Sequence, residues 1–461
     1  MEKKNISRRS FLKMLSAGGA AAVAACAGKK SSDAAQDEYK NQVEPPVGQM
    51  TYRTCPTSGD KVSLLGYGMM RLPMKDGNEE FDQDMINRQV DYAIEHGLNY
   101  FDTSPVYCRG LSERCTGIAL ARHPREKFLI ATKMSNFDPS YHTLEASKKM
   151  YHDSMKELQV DYIDYYLLHS IGGGGMDNLH KRFLDNGVLD YLVEERAAGR
   201  IRNLGFSYHG DIKVFDYLLS EHDKYKWDFV QIELNWLDWQ YANEINDRNT
   251  DASYLYDELQ KRGIPAVIME PLLGGRLANV NDAIAAELKQ RAPEASIASW
   301  AFRFAGSPRG VLTVLSGMTY MEHLEENVRT YSPLQPISEE EHEFLMHIAE
   351  LIYGQEEVPC TACQYCMPCP YGLDIPGIFA HYNKCIREGN TPQSSGSPAY
   401  RWQRRAFLVG YDRSVPRLRQ ADRCIGCGQC SPHCPQQIRI PRELHRISDY
   451  VETLKREGGP L

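Results

Sequence analysis

The sequence lacks the features that mark membrane-spanning and nucleic-acid-binding chains. Beyond its first 25 residues, no apolar run is long enough to cross a bilayer. The formal net charge is −8, so the chain lacks the basic excess expected of a protein that binds nucleic acid. No Gly-x-Gly-x-x-Gly motif follows the first apolar strand, which disfavours a dinucleotide-binding open sheet, and no flavin motif is present.

The N-terminus has the layout of an export signal. The run Arg8-Arg9-Ser10-Phe11-Leu12-Lys13 precedes an apolar stretch of small residues over 14–25. The first run resembles a twin-arginine translocation signal, and Val23-Ala24-Ala25-Cys26 resembles a lipobox with an acylated cysteine. The resemblance implies that residues 1–26 direct export to the periplasm or the membrane surface, with the lipid as the membrane contact. Simple cleavage and a basic amphipathic helix are the alternatives. Polar residues over 27–50 predict a flexible tether.

Short apolar runs alternate with segments of helical periodicity between residues 51 and 335. Eight of these runs are predicted as strands: 62–68, 98–102, 128–133, 162–169, 201–207, 229–235, 265–270 and 311–316. Helical crossovers between successive strands require parallel pairing, and eight such strands can close on themselves. The predicted fold class is therefore α/β, a (β/α)₈ TIM barrel over 51–335. An open doubly wound sheet is the alternative.

Polar residues collect where the predicted strands end, which is where a barrel places its chemistry. Asp102, Lys133 and His169 lie at three strand ends, and Tyr107 follows the first of them. Hydride reduction of a carbonyl leaves an alkoxide that needs a proton, and Tyr107 is the candidate acid. Because a free phenol has a pKa of about 10, we expect the Lys133 ammonium to make Tyr107 more acidic. We expect Asp102 to hold Lys133 charged and His169 to orient the carbonyl.

Several separated segments resemble the aldo-keto reductase family in the same order. They are 101–107 (Phe-Asp-Thr-Ser-Pro-Val-Tyr), 131–133 (Ala-Thr-Lys) and 167–169 (Leu-Leu-His), and the resemblance covers about residues 52–332. It implies a nicotinamide cofactor, NADP(H) or NAD(H), lying across the strand ends. The residues that we expect to contact it are Ser207, Gln231, Glu270, Ser316, Gly317, Met318, Glu326 and Asn327.

The match departs from the family at three positions. Tyr208 stands where Asn is common, and Met269 stands where a tyrosine often stacks on the nicotinamide. His323 replaces an arginine that grips the 2′-phosphate of NADPH, so the choice between the two nucleotides stays open.

Nine of the 13 cysteines fall between Cys360 and Cys434, in a clustering that favours metal over disulfides. Residues 424–435 have the bacterial ferredoxin spacing Cys-x₂-Cys-x₂-Cys-x₃-Cys-Pro, and 360–370 differ only in having x₂ before the last cysteine. Two [4Fe–4S] clusters are therefore predicted on Cys360, Cys363, Cys366, Cys369, Cys424, Cys427, Cys430 and Cys434. Resemblance to dicluster ferredoxins implies one cluster on the first three with Cys434, and another on Cys424, Cys427 and Cys430 with Cys369. Zinc is the alternative.

The cysteine runs belong to a separate C-terminal region. Residues 336–358 predict a linking helix with Ser338 as its cap and Glu341 behind it, and 359–461 predict a small ferredoxin-type domain of helices and loops. Cys385 lies outside both runs and is expected to be a thiol without metal. Arginines are dense between the runs, where they offset cluster charge, form a solvated face or dock an acidic redox partner.

These features predict an oxidoreductase of the aldo-keto reductase type that interconverts a carbonyl and an alcohol. We expect a nicotinamide cofactor, electron transfer through two [4Fe–4S] clusters, and a redox protein or a membrane electron carrier as partner. No nucleic-acid partner is expected. One alternative is an exported electron-transfer protein whose barrel is a docking or sensing scaffold. The other is a reductase whose clusters are purely structural.

Overall fold

A computed structural model of the protein describes residues 44–75, 80–246, 249–353, 357–392 and 395–457. The predicted export signal over 1–26, and the tether up to residue 43, lie outside the described residues. Pro45–Leu461 forms one compact unit. Among the described residues, none of the helices is both long and apolar enough to cross a membrane.

Eight parallel strands close into a barrel in the order β10-β3-β4-β5-β6-β7-β8-β9, which confirms the predicted fold class. The strands are β3 Leu65–Gly68, β4 Tyr100–Asp102, β5 Leu129–Met134, β6 Ile163–Ile171, β7 Ile201–Tyr208, β8 Phe229–Glu233, β9 Ala266–Met269 and β10 Val311–Ser316. Side chains fill the barrel interior, among them Tyr100, Tyr165 and Phe229. The barrel is therefore a packed core rather than a pore.

The first predicted strand, 62–68, is divided in the structure. Its beginning forms β2 (Lys61–Ser63), which pairs antiparallel with β1 (Tyr52–Thr54), and only its second half enters the barrel as β3. Cys55 and Val62 of this hairpin pack onto the barrel interior. Because the hairpin precedes β3, it closes the end at which the strands begin, and the opposite end is left for chemistry.

Helices connect the strands and pack around them. Their α-helical bounds are α1 Gln83–Glu95, α2 Ser112–Leu120, α3 Leu144–Leu158, α4 Gly175–Leu179, α5 Val188–Ala197, α6 Ile212–Ser220, α7 His222–Tyr225, α8 Asp238–Ile245, α9 Ala252–Gln260, α10 Asp282–Arg291, α11 Ile297–Gly306 and α12 Met321–Thr330. Side-chain caps start several of them: Asp82 accepts from the Met85 amide at 3.0 Å, and Thr143 accepts from the Ala146 amide at 3.3 Å. Buried apolar residues of these helices, among them Val90, Phe215 and Leu324, belong to the core that surrounds the strands.

The linking helix begins where the sequence predicts it. Ser338 caps α13 (Glu339–Tyr353) by accepting from the Glu341 amide at 3.1 Å, while the Glu341 carboxylate accepts from the Ser338 amide at 2.9 Å. Beyond it lie α14 Ile375–Arg387, α15 Tyr400–Ser414 and α16 Ile440–Arg456. These three helices and the cysteine loops enclose a hydrophobic core separate from that of the barrel.

Candidate active site

The four predicted catalytic residues converge at the carboxyl ends of adjacent strands. Asp102 is the last residue of β4, Lys133 lies near the end of β5, and His169 lies near the end of β6. Tyr107 begins the short helical turn that follows β4, in which the next two residues have left-handed backbone angles. Parallel pairing of β4, β5 and β6 brings their ends to one edge, so the intervals recognised in the sequence become neighbours in space.

A buried ion pair forms the floor of the site. The Lys133 Nζ donates to Asp102 Oδ1 at 2.6 Å and to the Thr103 carbonyl at 2.8 Å, and Lys133 is fully buried. The same ammonium lies 4.8 Å from the centroid of the Tyr107 ring. Burial lowers the pKa of Lys133, and Asp102 opposes that shift. Asp102 thus favours the charged ammonium, as the sequence predicts.

His169 stands edge-on to Tyr107, with ring centroids 5.7 Å apart. Its Nδ1 is hydrogen-bonded with Ser135 Oγ at 2.6 Å, which leaves Nε2 for a substrate. Burial, followed by the neighbouring charges of Lys133 and Arg182, holds the pKa of His169 well below its ordinary value. The imidazole is therefore neutral and suited to hydrogen-bonding a carbonyl oxygen.

Arg182 supports this histidine and was not anticipated from the sequence. It is buried, its guanidinium donates to the His169 carbonyl at 2.7 Å, and it stacks on Phe137 at 4.6 Å. Phe137 in turn packs against the His169 ring at 5.0 Å. No strand-end rule identifies Arg182, because it lies in a short helical segment after β6 and reaches the site only through the fold.

The expected effect of Lys133 on Tyr107 differs in the structure. The pKa of Tyr107 is raised well above its ordinary value, first by burial and then by Tyr365, Asp102 and Glu270. Proximity to an ammonium does not outweigh the loss of solvation. The phenol is consequently held in its protonated form, the form needed by an acid.

A second phenol, that of Tyr365, is among the groups that raise the pKa of Tyr107. Tyr365 lies in the first cysteine run, between Cys363 and Cys366. No sequence pattern indicates this interaction, because it depends on how the cysteine-rich region docks on the barrel.

The loop around Tyr365 is fastened to the barrel by several contacts. Arg71 donates to the Thr361 carbonyl at 2.8 Å. A Cβ added to Gly274, in the segment after β9, would lie 2.4 Å from the Thr361 Cα, so the two backbones touch. The first cysteine loop therefore covers part of the barrel mouth.

Residues expected to contact a nicotinamide fall into two groups. Ser207 and Gln231 are paired neighbours on β7 and β8. Gln231 Nε2 lies 3.3 Å from the Met269 sulfur, and Gln231 Oε1 is buried without a hydrogen-bond partner. Ser207 accepts from the Ser170 amide at 2.8 Å. Gln231 Oε1 is therefore an unpaired hydrogen-bond acceptor near the carboxyl ends of β7 and β8. Such an acceptor suits the amide N–H of a nicotinamide carboxamide.

The second group lies between β10 and α12. Ser316 Oγ accepts a hydrogen bond from Asn327 Nδ2 at 3.0 Å, so the two side chains are paired with each other. Gly317 is exposed, while Met318 is fully buried and its carbonyl accepts from the Tyr67 hydroxyl. Glu326 is buried in the same helix. Gly317 is therefore the accessible member of the set, and Met318 packs in the core.

Glu270 follows β9, and the segment that contains Gly274 folds back on it. Its carboxylate accepts from the Gly274 amide at 2.6 Å, and burial raises its pKa to about 7. Electrostatic interactions reach from it to Cys363 and Tyr107. Glu270 thus lies at the junction of the barrel and the cysteine-rich region.

Cysteines from the two runs lie near one another in the folded chain. One small cavity is lined by Cys360, Cys363, Cys366 and Cys434. In the other group, Cys430 interacts with Cys424 and Cys369. Gly426 and Gly428 take left-handed backbone angles in this second run. Cys434 of the second run thus lies among cysteines of the first run, and Cys369 of the first run lies near Cys430 of the second.

The donor set in the C-terminal region consists of cysteine thiols. The described cysteines are free thiols, with none in a disulfide. Within the described residues, no group of three His, Cys, Asp or Glu is gathered tightly enough to hold a single ion. Cys360, Cys363, Cys366 and Cys434 line one cavity, and four cysteine thiolates are the donor set that a [4Fe–4S] cluster takes. Burial raises the pKa of Cys363 to about 11 and that of Cys434 to about 12, as expected for thiols enclosed without metal charge.

Fold and site together define an oxidoreductase barrel that carries an iron–sulfur-type domain. The sequence matches the Aldo/keto reductase family over residues 64–350 and a 4Fe-4S dicluster domain over residues 359–438. The chain belongs to the aldo/keto reductase family.

Individual relatives match the barrel. Protein tas of Escherichia coli is 33% identical over 203 residues, 38% of this chain and 57% of that protein, so the match spans little more than half its length. L-galactose dehydrogenase of Arabidopsis thaliana is 25% identical over 303 residues, 62% of this chain and 89% of that protein. Among solved structures, aldo-keto reductase AKR11C1 of Bacillus halodurans in its holo form superposes with a TM-score of 0.52 at 24% identity, covering 65% of this chain and 96% of that one. That similarity is evidence for the fold alone.

Proposed function

We propose that this protein interconverts a small-molecule carbonyl and the corresponding alcohol by hydride transfer, and that it exchanges electrons through two [4Fe–4S] clusters. The observation that carries the proposal is the convergence of Asp102, Tyr107, Lys133 and His169 at one end of a closed barrel. A protonated phenol, a neutral imidazole and a fixed ammonium form the set of groups that carbonyl reduction requires.

Each residue has a distinct task in this proposal. Tyr107 donates its proton to the oxygen of the reduced carbonyl, and burial keeps that proton in place until the oxygen becomes basic. His169 orients the carbonyl through its free ring nitrogen. Lys133 lies over the ring of Tyr107 and, once that phenol has lost its proton, stabilises the phenolate. In the alcohol-oxidising direction the same groups act in reverse.

A nicotinamide fits the mouth at one well-defined point. Gln231 Oε1 is buried and unpaired, and Ser207 is its neighbour on the adjacent strand, which supports their holding the carboxamide. Gly317 is exposed and therefore accessible to the adenosine end of the dinucleotide. When bound, NADP(H) or NAD(H) supplies or accepts hydride.

Two clusters are proposed on the eight cysteines in the crossed pairing, and when bound they supply single-electron transfer. The second group is the outer one, because Cys427 is exposed. Around it, Leu418 and Ile425 are 72% and 62% exposed beside the exposed Arg417 and Arg419. Such a basic, partly apolar face supports docking of an acidic redox protein, with a membrane electron carrier as the other source of electrons.

Turnover of a carbonyl by protein purified without oxygen tests the central proposal. Oxidation of NADPH and NADH is followed with a panel of aldehydes and ketones, and iron and sulfide are measured on the same sample. We expect turnover in the wild type and a loss of about 10²-fold or more in Tyr107→Phe. Tyr254→Phe is the matched control, since this exposed tyrosine hydrogen-bonds Asp216 on the outside of the barrel.

The coverage of the mouth by the first cysteine loop favours one alternative, an electron-transfer protein whose barrel is a scaffold. That alternative predicts normal reduction of the clusters by dithionite with no carbonyl turnover at all. Normal cluster reduction together with turnover that needs only NADPH would instead favour clusters with a purely structural role.

Export is proposed from residues 1–26 alone. The twin-arginine route carries folded proteins, which suits a chain whose clusters are inserted before export. Arg8→Lys with Arg9→Lys is expected to retain the protein in the cytoplasm, and Cys26→Ala to release it from the membrane fraction. Cell fractionation with immunodetection distinguishes these outcomes, and an unchanged distribution in both variants would refute the proposal.

A further inference from the structure

Two buried serines, Ser104 and Ser135, lie beside the Nδ1 nitrogen of His169. Ser104 follows β4 and Ser135 directly follows β5, so both lie at the reacting end of the barrel. We propose that Ser135, supported by Ser104, is a positioning residue that keeps the proton of His169 on Nε2, so that this nitrogen donates a hydrogen bond to the carbonyl oxygen of the substrate. This inference rests on the proposed function and deepens it, because it names the residues that prepare His169 for the substrate.

The two hydroxyls form a short hydrogen-bonded chain that ends at the imidazole. The Val106 amide donates to Ser104 Oγ at 3.3 Å. Ser104 Oγ lies 2.9 Å from Ser135 Oγ, which in turn lies 2.6 Å from His169 Nδ1. Ser104 Oγ is also 3.3 Å from the same nitrogen. Both serines and the histidine are at most 3% exposed, so these hydroxyls depend on protein groups for their hydrogen bonds.

Counting protons along the chain decides in which direction its hydrogen bonds run. Because the pKa of His169 is held well below its ordinary value, the ring is neutral, and one nitrogen carries a proton while the other accepts. An amide can only donate, so Ser104 Oγ accepts from Val106 and its own proton is free for Ser135 or Nδ1. If Ser104 donates to Ser135 and Ser135 donates to Nδ1, every hydroxyl proton has an acceptor. Nδ1 is then an acceptor, and the ring proton lies on Nε2.

The opposite tautomer leaves one hydroxyl poorly paired. A proton on Nδ1 would be donated to Ser135 Oγ, and the Ser135 hydroxyl would have to donate elsewhere. Within the described part of the chain, the other acceptors in its reach are Ser104 Oγ and the Lys133 carbonyl, the latter at 3.4 Å. A bond to Ser104 would leave the Ser104 proton without an acceptor, and 3.4 Å is longer than an ordinary O–H···O hydrogen bond. Because a buried unpaired hydroxyl is costly, the proton is favoured on Nε2.

Neighbouring groups hold the imidazole in the orientation that this role requires. Arg182 donates to the His169 carbonyl at 2.7 Å, and the rings of Phe137 and Tyr107 pack against the imidazole at 5.0 and 5.7 Å. The ring cannot exchange its two nitrogens without breaking the 2.6 Å bond to Ser135. A proton on Nε2 polarises the carbonyl by hydrogen bonding to its oxygen, whereas a lone pair there would repel that oxygen.

Nitrogen-15 NMR of protein labelled at histidine reads the tautomer directly, because protonated and unprotonated ring nitrogens differ widely in chemical shift. The full chain is used with its clusters oxidised, and His169→Gln identifies the signal among the 14 histidines. We expect the proton on Nε2 in the wild type and a shift of population toward Nδ1 in the double variant Ser104→Ala with Ser135→Ala. We expect kcat for carbonyl reduction by the double variant to fall about tenfold with KM changed little, because the bond to the oxygen strengthens as charge develops.

Ser63→Ala is the matched control, because it also removes a buried serine hydroxyl. Ser63 ends β2, where its hydroxyl donates to the Leu65 carbonyl and accepts from the Asn99 amide, and it is not in contact with His169. The tautomer of His169 and kcat should both be unchanged in this variant. Iron content should match the wild type in every variant.

The outcomes separate this inference from the proposed function. A proton on Nδ1 in the wild type overturns the inference, and that reading needs no variant to fold. A tautomer that stays on Nε2 in the double variant also overturns it, as does a shifted tautomer with an unchanged kcat. If the wild type reduces no carbonyl, the proposed function fails, and the NMR comparison then tests the placement of the proton by itself: a shift in the double variant supports it, and no shift overturns it.

Discussion

Lys133→Met removes one partner of a buried ion pair and leaves the other in place. Lys133 is fully buried, Asp102 is 2% exposed, and their charged atoms lie 2.6 Å apart. Methionine has a similar length, so packing is largely retained. Breaking a buried pair in this way costs about 3–5 kcal/mol of unfolding free energy, because the remaining charge has lost its partner.

The loss of unfolding free energy in Lys133→Met should depend on pH. Burial already raises the pKa of Asp102, and Lys133 is the group that opposes the shift. Without Lys133, the folded-state pKa rises further above the unfolded value of about 3.9. The native state then binds more protons than the unfolded state, so stability falls as pH rises, by at most about 1.4 kcal/mol per pH unit. The variant should be nearly as stable as the wild type near pH 4 and clearly weaker near pH 7.

Urea unfolding followed by tryptophan fluorescence measures this difference, and four of the five tryptophans lie between residues 227 and 300 of the barrel. Lys149→Met is the control, because Lys149 forms an exposed pair with Asp153 and its loss should leave the unfolding midpoint unchanged. Asp102→Asn combined with Lys133→Met should recover much of the lost stability. A cost below about 1 kcal/mol at pH 7, or one that does not change with pH, would refute the reasoning.

Three further predictions test the mouth and the outer cluster region. Gly274→Ala places a Cβ against the Thr361 backbone at a left-handed position, so we expect the cysteine loop to become sensitive to limited proteolysis while the barrel's circular dichroism is retained. Gln231→Leu should weaken NADPH binding about tenfold by fluorescence titration without lowering the unfolding midpoint, since it removes a buried unpaired oxygen. Arg417→Glu with Arg419→Glu should slow cluster reduction by an acidic ferredoxin at least about tenfold at low salt and leave reduction by dithionite unchanged.

The barrel could be predicted because parallel strands buried on both faces read as continuous apolar runs. The predicted strand over 162–169 corresponds to β6 (Ile163–Ile171), and that over 201–207 corresponds to β7 (Ile201–Tyr208). Where a second strand competes for pairing, an apolar run does not show by itself where the barrel strand begins. Residues 62–68 look like one strand, but the antiparallel partner β1 takes the first part.

The candidate site was partly predictable for a related reason. Asp102, Lys133 and His169 lie at or near the ends of consecutive strands. Because consecutive strands are neighbours in the barrel, the order of these residues in the sequence predicts that they meet. The protonation of Tyr107 was not predictable in the same way. A sequence displays the neighbouring charge, whereas the burial that outweighs it belongs to the folded site. The influence of Tyr365 on the pKa of Tyr107 was missed because it arises from docking between distant parts of the chain.

The seam between the barrel and the cysteine-rich region bears on how a substrate reaches Tyr107. The buried apolar side chains form separate cores on either side. Polar contacts cross the seam: Arg71 to Thr361, Gln436 to Glu233 at 2.8 Å, and Arg276 to Glu357. A polar boundary between two cores resembles a transient interface, for which relative motion is the default. A small separation at this seam would open a path to Tyr107 without disturbing either core. The covering of the mouth is therefore compatible with catalysis, because the groups that block entry are held by hydrogen bonds that water can replace.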